Sequence, residues 1–216
     1  MEAIKMNDKL ISILLMACLI VGLIIYVYFS EKKEKELEEK YELERIEKER
    51  KRKIEETKER KKNSIVWNNE VQKDFDGKVK YSTNKHHRVL IGDYTCVAKL
   101  TNSTLKSMGF ETEVVPTASD IIDRIKSDNK YDLIITNNVY PNGESGDTLL
   151  TELKENEHID TPIVILTVDQ NARKRYLDKG YDDYIPKPLT EEQVKEVFPK
   201  VIKGLKFTKI KSNKTK

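Results

Sequence analysis

The sequence predicts an α/β domain with a doubly wound, five-stranded parallel sheet, preceded by a transmembrane helix and a charged helical stalk. Between residues 86 and 205, apolar runs of four to six residues alternate with amphipathic stretches of helix length. This alternation is typical of a parallel sheet that is covered on both faces. An uninterrupted apolar stretch lies near the start of the chain, followed by a stretch rich in Glu, Lys and Arg. The 216 residues have room for one globular domain with appendages.

The apolar stretch, Leu10 to Ser30, predicts a helix that spans a membrane. It has no charged residue in 21 positions, which is long enough to cross a bilayer once. Tyr26, Tyr28 and Phe29 lie at its far end, where an interfacial aromatic belt is expected. A buried core helix is the rival interpretation, and the length of the stretch disfavours it.

A cleaved lipoprotein with an exported domain is the sharper alternative. Leu15–Cys18 resembles a bacterial lipobox, in which cleavage precedes a lipidated Cys. However, Met16 is bulky for its place, and about seven apolar residues before the motif are the lower limit for a signal sequence. The apolar run also continues past Cys18 to Phe29, where a lipoprotein usually has a polar tether. These features favour an uncleaved span.

Basic residues on both sides of the span predict its orientation. Lys5 and Lys9 precede it. The basic residues that follow it are Lys32, Lys33, Lys35, Lys40, Arg45, Lys48 and Arg50. The positive-inside rule then predicts a single-pass protein of the cell membrane with its globular domain in the cytoplasm. Two cysteines, Cys18 and Cys96, imply no disulfide framework, which fits a reducing compartment.

Residues 31–63 predict a charged helical stalk. They carry 14 basic and 12 acidic side chains without Gly or Pro, and Glu residues often precede Lys or Arg by four positions, which stabilises a helix. The few apolar residues do not keep a heptad pattern, so a single helix is favoured over a coiled coil. Because the two charges are interleaved, a solvated helix is favoured over a nucleic-acid site, and we expect no nucleic-acid partner.

Two further segments flank the predicted domain of residues 86–205. Residues 64–85 are polar and mixed and predict a connector, in which Trp67 is expected to pack on the domain rather than on a partner. Residues 206–216 contain five lysines and no acidic residue, which predicts a disordered basic tail; contact with anionic lipid is the alternative.

The elements of the domain follow from its apolar pattern and its helix signals. The strands are predicted near Val89–Ile91, Glu113–Val115, Leu133–Thr136, Ile163–Thr167 and Tyr184–Ile185. The helices are predicted near Cys96–Met108, Ser119–Ser127, Thr148–Glu155, Asn171–Lys179 and Glu191–Lys203. Thr190 and Gln193 form a capping box before the last helix, and Gly109 and Gly180 fall where helices should end.

Four polar residues lie at the carboxyl ends of predicted strands: Asp93, Asn137, Thr167 and Lys187. Ligand sites in folds of this type lie beyond those strand ends, so these side chains are expected to converge. The histidines show no metal-ligand spacing with either cysteine, so the sequence predicts no metal site.

The order and spacing of the strand motifs resemble the receiver domain of response regulators, which has a CheY-like, flavodoxin-like fold. The resemblance covers roughly Arg88 to Lys203. It rests on the segments Arg88–Asp93, Tyr131–Asn137, Ile163–Thr167 and Gly180–Pro188.

The resemblance implies a role for each site residue. Asn137 stands where receivers carry the phosphorylated Asp, and Gly92 replaces one of two adjacent acidic residues that hold Mg²⁺, whereas Asp93 keeps a carboxylate. The remaining implied roles are a switch hydroxyl at Thr167, a rotating switch aromatic at Tyr184, and at Lys187 a phosphate-binding amine before a cis proline bond.

A carboxylate is a nucleophile and a hard metal ligand, whereas a neutral amide is neither. We therefore expect a vestigial phosphoacceptor site at Asn137, Asp93, Thr167 and Lys187, with no catalytic residue, no cofactor and at best weak Mg²⁺ binding. Restoring Asn137→Asp alone is expected to give poor phosphorylation, and adding Gly92→Asp to improve it.

The sequence thus predicts a non-enzymatic, membrane-anchored pseudo-receiver that scaffolds or binds proteins in bacterial signal transduction. The partner is expected on the Asn171–Lys203 face, and the bilayer on Leu10–Ser30. One alternative is a phosphorelay receiver that uses another carboxylate, such as Glu144. A flavodoxin-like enzyme is disfavoured because the sequence has no phosphate loop and no nucleophile–base pair.

Overall fold

The computed structural model describes residues 2–73, 77–127, 130–157 and 159–210. In chain order the elements are α1 (Glu2–Lys73), β1 (Tyr81–Thr83), β2 (Arg88–Gly92), α2 (Cys96–Ser107), β3 (Glu111–Val115), α3 (Ala118–Ser127), β4 (Leu133–Thr136), α4 (Gly146–Thr151), β5 (Ile163–Thr167), α5 (Arg173–Asp178), β6 (Asp183–Pro186), α6 (Glu191–Val201) and β7 (Phe207–Lys209). A π-helical turn, Glu152–Asn156, continues α4. The chain divides into two compact units, Met1–Lys58 and Glu59–Lys216.

The first unit consists of the amino-terminal part of α1. Its apolar stretch has an 18-residue window with a mean hydropathy of 2.7, which is long and apolar enough to cross a membrane by length and composition. The charged stretch that follows carries exposed ion pairs one helical turn apart, such as Glu47 with Lys51 (2.7 Å) and Glu49 with Lys53 (2.9 Å). Exposed pairs of this kind contribute only a few tenths of a kcal/mol each.

The second unit contains the five-stranded parallel sheet that the sequence predicts, in the order β3-β2-β4-β5-β6. Every residue of β4 and β5 is buried, because these strands are covered on both faces. Side chains alternate between the two faces along β2: Val89 and Ile91 pack in one core cluster and Leu90 in the other. The predicted fold class is therefore confirmed.

The segment 64–85 differs from the predicted connector. Residues 64–73 continue α1, and residues 74–76 lie outside the described residues. Trp67 packs against the core that also contains Val71, which is fully buried. A helix can therefore continue through this polar stretch because one of its faces is buried against the domain, and the composition alone does not reveal that face.

The tail also differs from its prediction as a disordered end. Its first residues form β7, which pairs antiparallel with β1, and residues 211–216 lie outside the described residues. The ring of Phe207 lies 6.0 Å from that of Phe110, in an edge-to-face arrangement. The aromatic contact and the hydrogen bonds with β1 hold this segment in a defined conformation, although its lysines predicted disorder.

Candidate functional site

The candidate site lies at the carboxyl ends of β2, β4, β5 and β6. Asp93 follows β2 and Asn137 follows β4, while Thr167 is the last residue of β5 and Lys187 follows β6. Because these four strands are consecutive in the sheet, their carboxyl ends share one edge.

Asp93 and Lys187 form a buried ion pair. Lys187 Nζ lies 2.6 Å from Asp93 Oδ2, and the two side chains are 7% and 2% exposed. The other carboxylate oxygen, Asp93 Oδ1, accepts hydrogen bonds from the backbone N–H and the hydroxyl of Thr95, both at 2.8 Å. Thr95 in turn caps α2 by accepting from Val97 N at 3.2 Å. Both oxygens of the carboxylate are therefore occupied by partners within the chain.

Lys187 is held from its backbone as well. Its N–H donates to the carbonyl of Thr167 at 2.7 Å, and the bond between Lys187 and Pro188 is cis, as the resemblance implies. A buried pair is costly to break, because removal of one partner leaves an uncompensated charge away from water.

Asn137 directs its side chain into its own loop. Its Oδ1 accepts from the backbone N–H of Asn138 at 2.8 Å, and its own backbone N–H donates to the carbonyl of Gly92 at 3.0 Å. The amide thus stabilises the loop after β4. Neutral and locally bonded, it offers no nucleophile to a phosphoryl donor.

The space at Gly92 is filled by other side chains. A Cβ atom added there would lie 2.2 Å from Ile121 Cδ1 and 2.5 Å from the hydroxyl of Tyr140. Real carbon atoms do not approach so closely, so an acidic side chain has no room at this position in the present packing. This packing argues against the expectation that Gly92→Asp improves the site, because the side chains of Ile121 and Tyr140 would have to move, and a labelling measurement decides it.

Tyr140 is a site residue that the sequence did not reveal. It is 2% exposed, and its hydroxyl shares a hydrogen bond of 2.7 Å with Thr136 Oγ1 and donates to the carbonyl of Gly92 at 3.2 Å. Burial raises the pKa of Tyr140 above its ordinary value, so the group stays a neutral phenol. Two features of the sequence together could have indicated the role of Tyr140. A Gly stands where an acidic residue is usual, and a bulky residue lies in the facing loop.

Thr167 and Tyr184 meet at the loop after β5. Thr167 Oγ1 accepts from the backbone N–H of Asp169 at 3.2 Å, and the hydroxyl of Tyr184 donates to the carbonyl of the same residue. The Tyr184 ring is 7% exposed and stacks on Tyr176, with ring centroids 5.7 Å apart. The two switch-like residues therefore hold the same loop, and Tyr184 points inward.

Glu144, the alternative phosphoacceptor, is engaged in holding α3. Its carboxylate accepts the hydroxyl of Ser119 and the backbone N–H of the same residue, the latter at 3.0 Å. Burial opposes ionisation of Glu144, yet the hydrogen bonds to its carboxylate, of which those from Ser119 are the largest, together outweigh burial and lower its pKa.

The residues present do not fit a Mg²⁺ ion. Mg²⁺ requires oxygen ligands in a near-octahedral arrangement. At this edge of the sheet Asp93 is paired with Lys187, Asn137 is neutral, and Gly92 has no side chain. Within the described ranges, no group of three or more His, Cys, Asp or Glu residues could hold a metal ion.

The backbone of Asp93 is bound by α1, which is a contact that the sequence did not specify. Trp67 Nε1 donates to the carbonyl of Asp93 at 3.2 Å. The same residue that forms the buried ion pair is thus also tied to the helix that precedes the domain.

The chain is similar to known proteins in sequence and in fold. The family model described as response regulator receiver domain matches residues 89–198. A hybrid signal transduction histidine kinase D from Dictyostelium discoideum is 35% identical over 85 residues, which cover 37% of this chain and 5% of the relative. The chain therefore spans only a small part of the length of that curated relative.

Solved structures of similar fold include two bacterial proteins. The chemotaxis response regulator CheY4 of Vibrio cholerae is 20% identical, with a TM-score of 0.48 over 54% of this chain and 99% of that one. A two-component response regulator from Clostridium difficile is 23% identical, with a TM-score of 0.47 over 56% of this chain and 98% of that one.

Proposed function

The chain belongs to the response regulator receiver domain family, and on that premise we propose that it is a membrane-anchored receiver that takes up no phosphoryl group and works through protein–protein contacts. Receiver domains act in signal transduction, and they do so by contacting other signalling proteins. The proposal adds that this domain signals or scaffolds without phosphorylation.

One observation carries the proposal: other side chains fill the space at Gly92 where receivers usually have an acidic residue, and the acidic residue that remains, Asp93, is paired with a lysine. Tyr140 and Ile121 fill the space at Gly92, and Lys187 neutralises Asp93. Phosphoryl transfer requires a nucleophile and a cation that offsets the charge of the transition state. The chain has a neutral amide at Asn137 and no room for a second acidic group, so the transition state would lack both.

Incorporation of label from radioactive acetyl phosphate, with and without Mg²⁺, tests this function. The full chain in detergent micelles should take up no more label than the same chain after denaturation. A receiver with Asp at the position of Asn137 serves as the positive control for the reagent. Stoichiometric labelling of the wild type that resists acid and is released by base would overturn the proposal.

The same assay addresses the phosphorelay alternative. Glu144 is the carboxylate that this alternative invokes, and Ser119 occupies both of its oxygens. If Glu144 accepted phosphate, wild-type labelling would be lost in Glu144→Gln. We expect the two chains to be equally unlabelled.

The proposed partner face comprises α5, β6 and α6, within Asn171–Lys203. The sheet order supports this choice, since β6 lies at the edge opposite β3. Leu177 on α5 is 37% exposed, and Leu100 on α2 is 50% exposed. Leu177→Glu should abolish co-purification of a membrane-bound partner with the full chain, whereas the matched variant Leu100→Glu should not. Equal effects of the two variants would exclude this face.

Membrane attachment through Leu10–Ser30 completes the proposal. Its support is the length and hydropathy of the apolar part of α1. The basic residues that follow the span favour a cytoplasmic domain. An exported lipoprotein remains the alternative because of Leu15–Cys18, and a topology reporter fused after Lys216 separates the two.

A further inference from the structure

The carboxyl-terminal part of α1, residues 59–73, presents one helical face to the receiver domain; we name it the docking segment. Its domain-facing residues are three or four positions apart, which places them on one side of a helix. They are Arg60, Ser64, Trp67, Asn68, Val71 and Gln72. Ser64 is 3% exposed and Val71 is fully buried, whereas Val66 on the opposite side is 48% exposed.

A charged contact fixes the start of the docking segment. Arg60 donates to Asp120 Oδ1 at 2.5 Å and to Asp123 Oδ2 at 2.7 Å, so its planar guanidinium bridges two carboxylates on α3. Asp120 is 3% exposed. A buried carboxylate of this kind needs a cation, and the docking segment supplies it.

Two amide side chains bind the free edge of the sheet. β3 is an edge strand, and the N–H and C=O groups of alternate residues of a parallel strand point away from its neighbour. Gln72 Nε2 donates to the carbonyl of Thr112 at 2.7 Å, and Asn68 Oδ1 accepts from the N–H of Val114 at 2.9 Å. Asn68 and Gln72 are four positions apart on the helix and meet residues two apart on the strand. The docking segment thus satisfies edge groups that another strand would otherwise satisfy.

The third contact links the docking segment to the site. Trp67 Nε1 donates to the carbonyl of Asp93, whose carboxylate is paired with Lys187. Asp93 is therefore held through its carbonyl by the helix and through its carboxylate by the lysine. Loss of Lys187 would leave a buried and uncompensated carboxylate, and the loop would have to move for that carboxylate to reach water.

We propose that the docking segment is a latch, closed while the Asp93–Lys187 pair is intact and released when the pair is broken. The three contacts are polar and can exchange their partners for water, whereas the burial of Val71 and the packing of Trp67 against the core favour the closed state. This role goes beyond the proposed function and does not depend on it, because it requires neither a phosphoryl group nor a partner. Coupling between two sites is reciprocal, so opening the latch must also loosen the ion pair.

Trp67 reports on the latch directly, because it is the only tryptophan in the chain. Acrylamide quenching of its fluorescence, in the full chain in detergent micelles, measures its access to solvent. Asn68→Ala with Gln72→Ala should raise the quenching constant several-fold, since the edge contacts of the segment are lost. Asn69→Ala is the matched control, because Asn69 is exposed on the same helix. An unchanged quenching constant in the double variant would show that the segment is not held in this way.

The coupling to the site needs two measurements. Lys187→Met should increase quenching of Trp67 in the same direction, whereas Lys200→Met, which removes an exposed pair with Glu196, should not. Conversely, reductive methylation of Lys187, followed by mass spectrometry, should be faster in the Asn68→Ala, Gln72→Ala chain than in the wild type. A coupling of typical size corresponds to a change of about five-fold or more in the latch equilibrium.

Each outcome decides the proposal. Faster methylation of Lys187 in the double variant supports the coupling, even if Lys187→Met proves too unstable to purify. If the double variant exposes Trp67 while Lys187 is methylated as slowly as in the wild type, docking of the helix is not coupled to the Asp93–Lys187 pair, and the latch is refuted. Neither readout involves phosphate, so a failure here is distinct from a failure of the proposed function.

Discussion

At the scale of single residues, the identity of position 92 depends on two side chains that are distant from it in the sequence. Ile121 and Tyr140 occupy the volume that a side chain at Gly92 would need. The glycine and its two neighbours are therefore one packing unit. The effect on stability of a substitution at one of these three residues should therefore depend on the identity of the other two.

Gly92→Ala should lower the free energy of unfolding by about 1–3 kcal/mol, the usual cost of overpacking a core. Ile121→Val removes the Cδ1 atom nearest to the added methyl group. In that background the same Gly92→Ala change should cost measurably less. Urea denaturation of the four chains in the double-mutant cycle measures this difference, and equal costs in both backgrounds would contradict the packing described here.

The same packing predicts how attempts to restore phosphorylation will turn out. Asn137→Asp supplies a nucleophile without a second acidic group, so we expect little labelling by acetyl phosphate. Adding Gly92→Asp should not improve labelling, because the new carboxylate meets Ile121 and Tyr140 and destabilises the fold. A well-labelled and stably folded double variant would show that the loop after β4 can rearrange to admit the acidic side chain.

Glu144 should make the stability of the domain depend on pH. Its pKa in the folded chain lies below the ordinary value of 4.5, because burial, which raises it, is outweighed by the hydrogen bonds to the carboxylate, chiefly those from Ser119. The folded state thus favours the carboxylate, and its contribution is complete above about pH 4.5 and is lost as the pH falls through the lower folded value. Glu144→Gln should cost about 1 kcal/mol at pH 7, like the loss of a helix cap.

The cost of Glu144→Gln should vanish in acid, where the wild-type carboxylate is protonated as well. Denaturant midpoints between pH 3 and pH 7 measure this convergence. Glu155→Gln is the control, because Glu155 is an exposed residue with the same chemistry. A difference between wild type and Glu144→Gln that stays constant over this range would contradict the assigned role of the carboxylate.

Prediction from sequence succeeded best for residues at strand ends. Asp93 and Lys187 could be placed because each directly follows a strand, and parallel strands bring their carboxyl ends to one edge. Tyr140 lies in the middle of a loop, so its position depends on contacts with β2 and α3 that no local pattern encodes. The sequence showed that Gly92 lacks the usual carboxylate, but not that Tyr140 fills the space beside it.

At the scale of elements, local periodicity sufficed for the parallel sheet but not for the short antiparallel pair. β4 and β5 are continuous apolar runs, which are typical of strands buried on both faces. β1 and β7 have three residues each, with mixed polarity and 123 intervening residues between Thr83 and Phe207. Neither strand is stable alone, so their pairing could not be inferred from either segment.

The aromatic contact of β7 gives a test of its contribution. Phe207→Ala should lower the free energy of unfolding by about 2 kcal/mol, less than the loss of a fully buried Phe. Thr208→Ala is the matched control, since Thr208 is exposed in the same strand. Thermal unfolding of both chains distinguishes an ordered β7 from a disordered tail, in which the two variants would behave alike.

The docking segment shows why the boundary of α1 was misplaced. Residues 64–85 appeared to be a connector because their composition is polar. Helices of marginal propensity persist where tertiary contacts bury one face, and here the buried face includes Val71 and the edge contacts of Asn68 and Gln72. The helical spacing of those residues can be read from the sequence. However, Asn and Gln are polar, so a hydrophobicity pattern does not predict that they are buried.

At the scale of the whole molecule, composition predicted the division into an apolar helix, a charged helix and a globular domain. The apolar stretch is recognised by length alone, because about 20 residues span a bilayer. Orientation rests instead on a statistical charge bias of the flanking residues. It therefore needs a measurement in cells.

Topology is the last prediction. A reporter that is active only in the cytoplasm, fused after Lys216, should be active, because the basic residues after the span favour that side. The intact chain should keep its full mass of 25.2 kDa, since an uncleaved span retains its amino-terminal residues. Cys18→Ser and Cys96→Ser should both leave membrane attachment and mass unchanged apart from the substitution. A lipoprotein would instead lose the residues before Cys18, carry lipid there, and lose its anchor in Cys18→Ser but not in Cys96→Ser. Activity of only an exported reporter, together with that mass change, would place the domain outside the cytoplasm and contradict the proposed topology.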